Sequence, residues 1–238
     1  MNNLKLRWKS KQGIACLAFA GALITVPMAF AEQNWMPNRN DPAWDALLSQ
    51  FYSIAARHQS ELVKLKNDYA QIRIGPLVAP SVLVDAVAIH RSKEVLRRFD
   101  ALVQEPAEIS RAMYGEMQQA IRESAVPPEY KIAFLQSIEK DEVTRSAQLK
   151  NVRDAEIGMA NAARNLLKMF EKNFGKMQEK NGELYFQTRE QFDYYHEQFA
   201  RLRHFGELEN KAFTEIEHTK PVAPIGMPPL FPGMSDSN

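Results

Sequence analysis

Cysteine is nearly missing from this chain: there is one, Cys16, in 238 residues. It stands at the start of an apolar stretch, whereas a lipid-modified cysteine stands at the end of one. The preceding Gly13-Ile14-Ala15 also lacks the large aliphatic residue such a site has three positions back. A lipoprotein is therefore excluded. A disulfide framework is excluded as well, and so is thiol chemistry if this segment is removed. Glycine is scarce, with ten residues, and no Gly-rich phosphate loop, Gly-x-Ser-x-Gly elbow, His-Glu-x-x-His pair or haem attachment motif occurs. Sustained apolar–polar alternation is missing too, and no Asn-Gly pair stands between strand-like runs, so a chain without sheet is expected. After the first apolar stretch no run approaches membrane-spanning length, so no transmembrane segment is expected in the mature chain.

What is present begins with a leader. Lys5, Arg7, Lys9 and Lys11 precede an apolar run from Ile14 to Phe30, and no acid occurs before Glu32. The run ends in Ala29-Phe30-Ala31, a small-x-small site of the kind signal peptidase cuts, with Pro27 just upstream to break the apolar helix. Residues 1–31 are read as a cleaved signal peptide, removed after Ala31, which puts the mature protein in the periplasm or outside the cell. Its chain opens with a flexible segment, residues 32–40.

Thirty basic residues against 29 acids give a net charge of +1. Removing the leader removes four of the basic ones, so the mature chain is near −3. No basic field remains to attract phosphates, and nucleic acid is not expected as a partner.

Apolar residues recur at spacings of three and four from Trp44 onward, the signature of helices. The first helix is predicted to begin at Pro42, with Asp41 as N-cap. Its seam runs Trp44, Leu48, Phe51, Ala55, His58, Leu62, Leu65, Tyr69, Ile72, widened by Leu47 and Ile54, until Gly75-Pro76 stops it. Those steps are the heptad spacing that turns one stripe toward a partner helix. About 33 residues at 1.5 Å each make a rod of roughly 50 Å. A second helix is predicted over residues 81–104, with Val84, Ala88, Val95, Phe99 and Leu102 on one face. Pro106 marks a kink or a fresh start, and a third helix continues through Ile109, Met113, Met117 and Ile121. The fourth and longest is predicted from Pro128 to Asn181-Gly182. Its seam is apolar at Leu135 and Ile138 and again from Leu149 to Phe170, but polar at Glu142 and Arg145. That gap predicts weak packing or a bridge between two packed zones, with a bend at Gly158 or local fraying. The fifth is predicted from Glu183 to His218. The fold class is all-α: an elongated bundle of antiparallel, coiled-coil-like long helices over residues 41–219, followed by a Pro-rich extended tail.

That tail, residues 220–238, carries five of the thirteen prolines, interleaved with Val222, Ile225, Met227, Leu230 and Phe231. It cannot continue a helix and is expected to be extended, either free or docked on a groove.

Candidate chemistry is sparse. Asp193-x-x-His196 and Glu215-x-x-His218 put a carboxylate and an imidazole on one helix face, as bundle di-iron sites do. Those sites need the motif on two different helices, whereas here both copies lie on one. Ser137-x-x-Lys140 has a nucleophile's spacing but falls within a charged helix without companion motifs. His58, on a seam, reads as a structural histidine. No catalytic, cofactor-binding or metal-ligating residue is assigned, and no cofactor is expected. The fifth helix carries eight of the chain's 23 aromatics. The candidate partner-binding residues are Phe192, Tyr195 and Phe199 with Arg203 beside them, together with Leu230 and Phe231 of the tail. The expected function is a non-catalytic helical interaction protein of the cell envelope: a periplasmic chaperone, an adaptor or an accessory part of an envelope or secretion assembly. Its expected partner is another envelope protein or a second copy joined through helical seams. The alternatives are a metal- or cofactor-binding helical bundle and an enzyme whose site carries no recognisable motif.

Overall fold

The computed structural model describes residues 6–9 and 42–218. They are mostly helical, with long helices, as the three–four periodicity requires. In chain order the elements are β1 (Leu6–Lys9), α1 (Pro42–Ala70), α2 (Ile74–Leu77), α3 (Pro80–Leu83), α4 (Ala86–Leu102), α5 (Glu105–Glu123), α6 (Pro128–Lys172), β2 (Gln178–Lys180), β3 (Glu183–Phe186) and α7 (Arg189–His218). The predicted cleavage site, residues 32–40 and the Pro-rich tail lie outside the described residues. Among the described residues, no helix is long and apolar enough to cross a membrane.

The α1 seam is buried at Trp44, Leu47, Phe51, Ala55, His58, Leu62, Leu65 and Tyr69. Leu47, expected only to widen the stripe, takes the place given to Leu48, which is half-buried. The predicted second helix is in fact two. Asp85 stops the α3 turn and caps α4, its carboxylate accepting hydrogen bonds from the backbone N–H of Val87 (2.8 Å) and Ala88 (3.1 Å). Two of the orphan donors of a helix start are thereby satisfied. Pro106 lies in the first turn of a new helix, α5, where its missing N–H is not needed.

The expectation of a chain without sheet is corrected. The fourth helix ends at Lys172, nine residues before Asn181, and Gly175 then takes a positive φ of 77°. Asn181-Gly182 is a hairpin turn rather than a helix stop. Both residues have positive φ (56° and 76°), as a two-residue turn whose twist matches its strands requires. It joins β2 to β3, and β1 pairs antiparallel with the other edge of β3, giving the order β1-β3-β2. The fifth helix correspondingly begins at Arg189 instead of Glu183. A capping box sets that start: the Thr188 hydroxyl accepts from the Gln191 N–H (3.2 Å), and the Gln191 amide oxygen accepts from the Thr188 N–H (3.3 Å).

The chain divides into two compact units. One takes in β1, Lys66–Gln104 and Asn151–Thr214. In it Arg164 of α6 donates to the Leu96 carbonyl of α4 (3.2 Å) and pairs with Asp100. Lys93 of α4 pairs with Glu171 of α6, and Tyr69 meets the Phe99 ring edge-on at 5.7 Å.

The other unit takes in α1 up to Leu65, and Glu105–Lys150. Trp44, Leu47, Phe51 and Ala55 pack with Met113, Met117, Ile121, Val126, Phe134 and Ile138 in one apolar core. Each fully buried large side chain there contributes about 1.5–3 kcal/mol. The polar gap predicted in the fourth helix belongs to this unit, and it is packed. Gln118 of α5 donates to Glu142 at 3.0 Å, and Arg145 is only 7 % exposed, held against the Tyr114 hydroxyl with Asp141 one helical turn away. Polar side chains continue the seam there instead of interrupting it. The helix also runs through Gly158 without a break.

Candidate functional site

Within the first unit, the hairpin and the start of α7 enclose an aromatic cluster. Phe170 of α6 meets Phe186 of β3 (ring centroids 6.3 Å apart) and Tyr195 of α7 (6.2 Å), each edge-on. Phe186 also meets Phe192 (5.7 Å) and Tyr195 (5.3 Å), and Tyr195 stacks on Phe199 at 5.7 Å. Such pairs add about 0.5–1.5 kcal/mol each beyond the area they bury. Three of the six residues singled out in the sequence, Phe192, Tyr195 and Phe199, thus come together. Tyr195 is 1 % exposed, and Phe192 and Phe199 are half-buried. Burial pushes the Tyr195 hydroxyl up from its ordinary pKa. Arg203 is exposed, further along α7. Arg189, at the start of the same helix, sets a guanidinium over an aromatic face, 5.5 Å from the centre of the Phe192 ring. Leu230 and Phe231 lie outside the described residues. At the rim of the cluster's elements, Phe174 and Tyr194 are exposed.

Of the two acid–histidine motifs, Asp193 and His196 are engaged by neighbours on α7. Asp193 receives both hydrogen bonds from Arg189 Nε (2.9 and 3.0 Å), and the His196 ring lies 4.4 Å from that of Phe192. Among the described residues, no group of three or more histidines, cysteines and acids is placed to hold a metal ion. Ser137 and Lys140 sit in the first third of α6, in the stretch that packs with α5.

Three buried polar groups matter more than these motifs. In the second unit His58, 4 % exposed, bonds through Nδ1 to Glu61 (2.8 Å) and through Nε2 to Glu116 of α5 (3.3 Å), and Glu116 also pairs with Arg57. The imidazole is bound on both sides, as a structural histidine is. In the same unit, burial holds the Arg145 pKa below its ordinary value and pushes the Tyr114 hydroxyl up.

The third group lies in the first unit and is the most unusual. Glu156 of α6 is 2 % exposed and Glu209 of α7 is 8 % exposed. Burial drives the Glu156 carboxyl well above the ordinary carboxylate range, and the negative charge of Glu209 drives it further, against a smaller opposing effect from the nearby Tyr69 hydroxyl. Burial alone raises Glu209 to about 7. One Glu156 oxygen has no hydrogen-bond partner. Two carboxyls so placed cannot both ionise cheaply, so they hold protons at pH values where exposed carboxylates have lost theirs.

This pair escaped the sequence reading, although a signal was there. Leu149, Val152, Glu156, Met159, Ala163, Leu166 and Phe170 form an unbroken three–four series in which Glu156 fills a seam position. Glu209 likewise stands on the stripe through Leu202, Ala212 and Ile216. Here each carboxylate in phase with an apolar stripe is a buried one. No protein-family model, no curated protein and no solved structure matches the chain.

Proposed function

We propose that the chain is an exported, non-catalytic interaction protein of the cell envelope, working as a chaperone, an adaptor or an accessory part of an envelope or secretion assembly. One observation carries this reading. Four titratable side chains with unusual surroundings, His58, Arg145, Glu156 and Glu209, stand on helix seams and are between 2 and 8 % exposed. They are spent on packing one helix against another, whereas a catalytic group must reach a substrate. Under this reading the leader is cut after Ala31, the helices join coiled-coil-like through their seams, and the Pro-rich tail extends from residue 220. The partner is an envelope protein or a second copy of the chain. A mature charge near −3 supports a protein partner over nucleic acid.

In-cell crosslinking of the tagged protein, followed by mass spectrometry of what is attached to α7 and the tail, tests the reading. A reproducible envelope partner or a self-adduct is expected. Recovery of the protein from the cytoplasm with Met1 intact would overturn it. The Glu156–Glu209 pair favours one alternative, a helical bundle that holds a cation. Elemental analysis of untagged protein separates the two, because that alternative requires a stoichiometric metal.

A further inference from the structure

The outer edge of β3 is built to receive a strand. Its two-residue turn makes Lys180 and Glu183 the closing hydrogen-bonded pair of the hairpin. Hydrogen-bonding direction alternates along an antiparallel strand. Glu183 and Tyr185 therefore turn their backbone N–H and C=O toward β2, and Leu184 and Phe186 turn theirs outward. The aromatic cluster holds this rail from below, with Leu184 and Phe186 0 % and 3 % exposed. Along it lies β1, in the register Leu6↔Phe186, Arg7↔Tyr185, Trp8↔Leu184 and Lys9↔Glu183.

β1 belongs to the leader. On the reading that residues 1–31 are removed on export, the mature protein loses this strand, and the outward groups of Leu184 and Phe186 lose their partners. An unpaired edge is a template for another extended chain. We infer that the β3 edge of the mature protein takes up an extended segment of a partner protein by strand addition. The register specifies its chemistry: large apolar residues opposite Leu184 and Phe186, and basic residues opposite Glu183 and Tyr185. The buried Glu183 carboxylate, reached by the Tyr185 hydroxyl at 3.3 Å, favours a basic residue there. The chain's own tail does not fit this description. It has no basic residue after Lys220, and between its prolines no stretch long enough for a four-residue strand carries the alternation.

The test uses the full chain carrying Trp8→Pro, which deprives β1 of the N–H that pairs with Leu184 and so frees the edge. A fluorescent peptide spanning residues 3–12 is titrated against it and against the unaltered chain. Saturable binding about tenfold tighter to the Trp8→Pro chain is expected. N-methylation of the peptide at Trp8 is expected to weaken binding about tenfold, equivalent to one net hydrogen bond, while N-methylation at Lys9, whose N–H points away from the rail, leaves it within about threefold. Hydrogen exchange at Leu184 and Phe186 is expected to speed up in the variant and slow again with peptide. Equal weak binding to both chains, or equal response to the two N-methylations, would overturn strand addition. If the protein isolated from the envelope still begins at Met1, the reading that the leader is removed fails instead, since the edge is then kept filled by the chain's own β1.

Discussion

Gly158 of α6 lies directly beneath the Phe205 ring of α7, so close that a β-carbon at 158 would stand 2.6 Å from the ring's Cγ. The approach includes Cγ, which a flip of the ring about its Cβ–Cγ bond does not move, so a ring flip does not clear it and the whole side chain or its helix must shift. Gly158→Ala is therefore expected to destabilise the protein by about 1–3 kcal/mol, the usual cost of overpacking. Alanine's better helix propensity, worth up to about 1 kcal/mol, works in the opposite direction and is outweighed. Gly115 of α5 supplies the control. Nothing lies within 4 Å of a β-carbon there, so Gly115→Ala is expected to stabilise by about 0.5–1 kcal/mol. Urea midpoints of the two variants should move in opposite directions, and a gain in both would show that the ring does not rest on Gly158.

The Glu156–Glu209 pair makes stability depend on pH with a definite sign. Both carboxyls have pKa values raised by burial in the folded state, so folded protein holds more protons than unfolded protein between the ordinary carboxylate range and about 7. Stability must then fall as pH rises through that window. The Glu209 displacement alone, from 4.5 to about 7, corresponds to roughly 3 kcal/mol. Glu156→Gln and Glu209→Gln, which keep the shape and cannot ionise, are each expected to stabilise the protein at pH 8 and to flatten the profile between pH 5 and 7. Thermal melts across that range check it, and variants that melt lower than the parent at pH 8 would mean that the carboxylates are favourably paired.

How much of this was legible depended on whether a residue's role was set by periodicity or by partners distant in sequence. The α1 seam was readable almost residue by residue, because a buried stripe leaves a three–four record wherever it runs. Asn181-Gly182 was misread because a positive-φ pair ends a helix as well as it turns a hairpin. The strands beside it are too short, at three and four residues, to show alternation. Thr188-x-x-Gln191 was the local signal that would have moved the start of α7. Arg145 looked like a gap because Tyr114, beside which it is buried, lies 31 positions away on another helix. Of the candidate residues, the aromatic trio was found by its spacing, but spacing does not say whether a stripe faces a core or a partner.

Arg145 gives a third prediction. A guanidinium 7 % exposed depends on an acid partner, and Asp141, half-buried on the same helix, is the acid whose charge favours the Arg145 cation. Asp141→Asn leaves a buried cation uncompensated, at a cost of about 3 kcal/mol. Arg145→Met removes the cation itself, refills the seam with an apolar chain and lets Asp141 turn to water. It is expected to cost less, under about 2 kcal/mol. The ordering of the two denaturation midpoints is the measurement, and a milder Asp141→Asn would show that the Tyr114 hydroxyl alone satisfies the guanidinium.

The hairpin turn is the most local of these features and gives the narrowest prediction. Gly182 sits at φ 76°, a conformation that costs a β-branched residue roughly 1–2 kcal/mol. Gly182→Val should therefore open the β2–β3 pairing. The aromatic cluster beneath β3 joins Phe186 to Phe170 and Tyr195 through side chains, so it does not depend on β2 for its contacts. The loss should accordingly stay within the sheet. Exchange of the Glu183 and Tyr185 amides, which face β2, is expected to accelerate, while amides in the middle of α6 and α7 keep their protection. Uniformly faster exchange across both helices would mean instead that the turn, and not the rings, holds that end of the unit together.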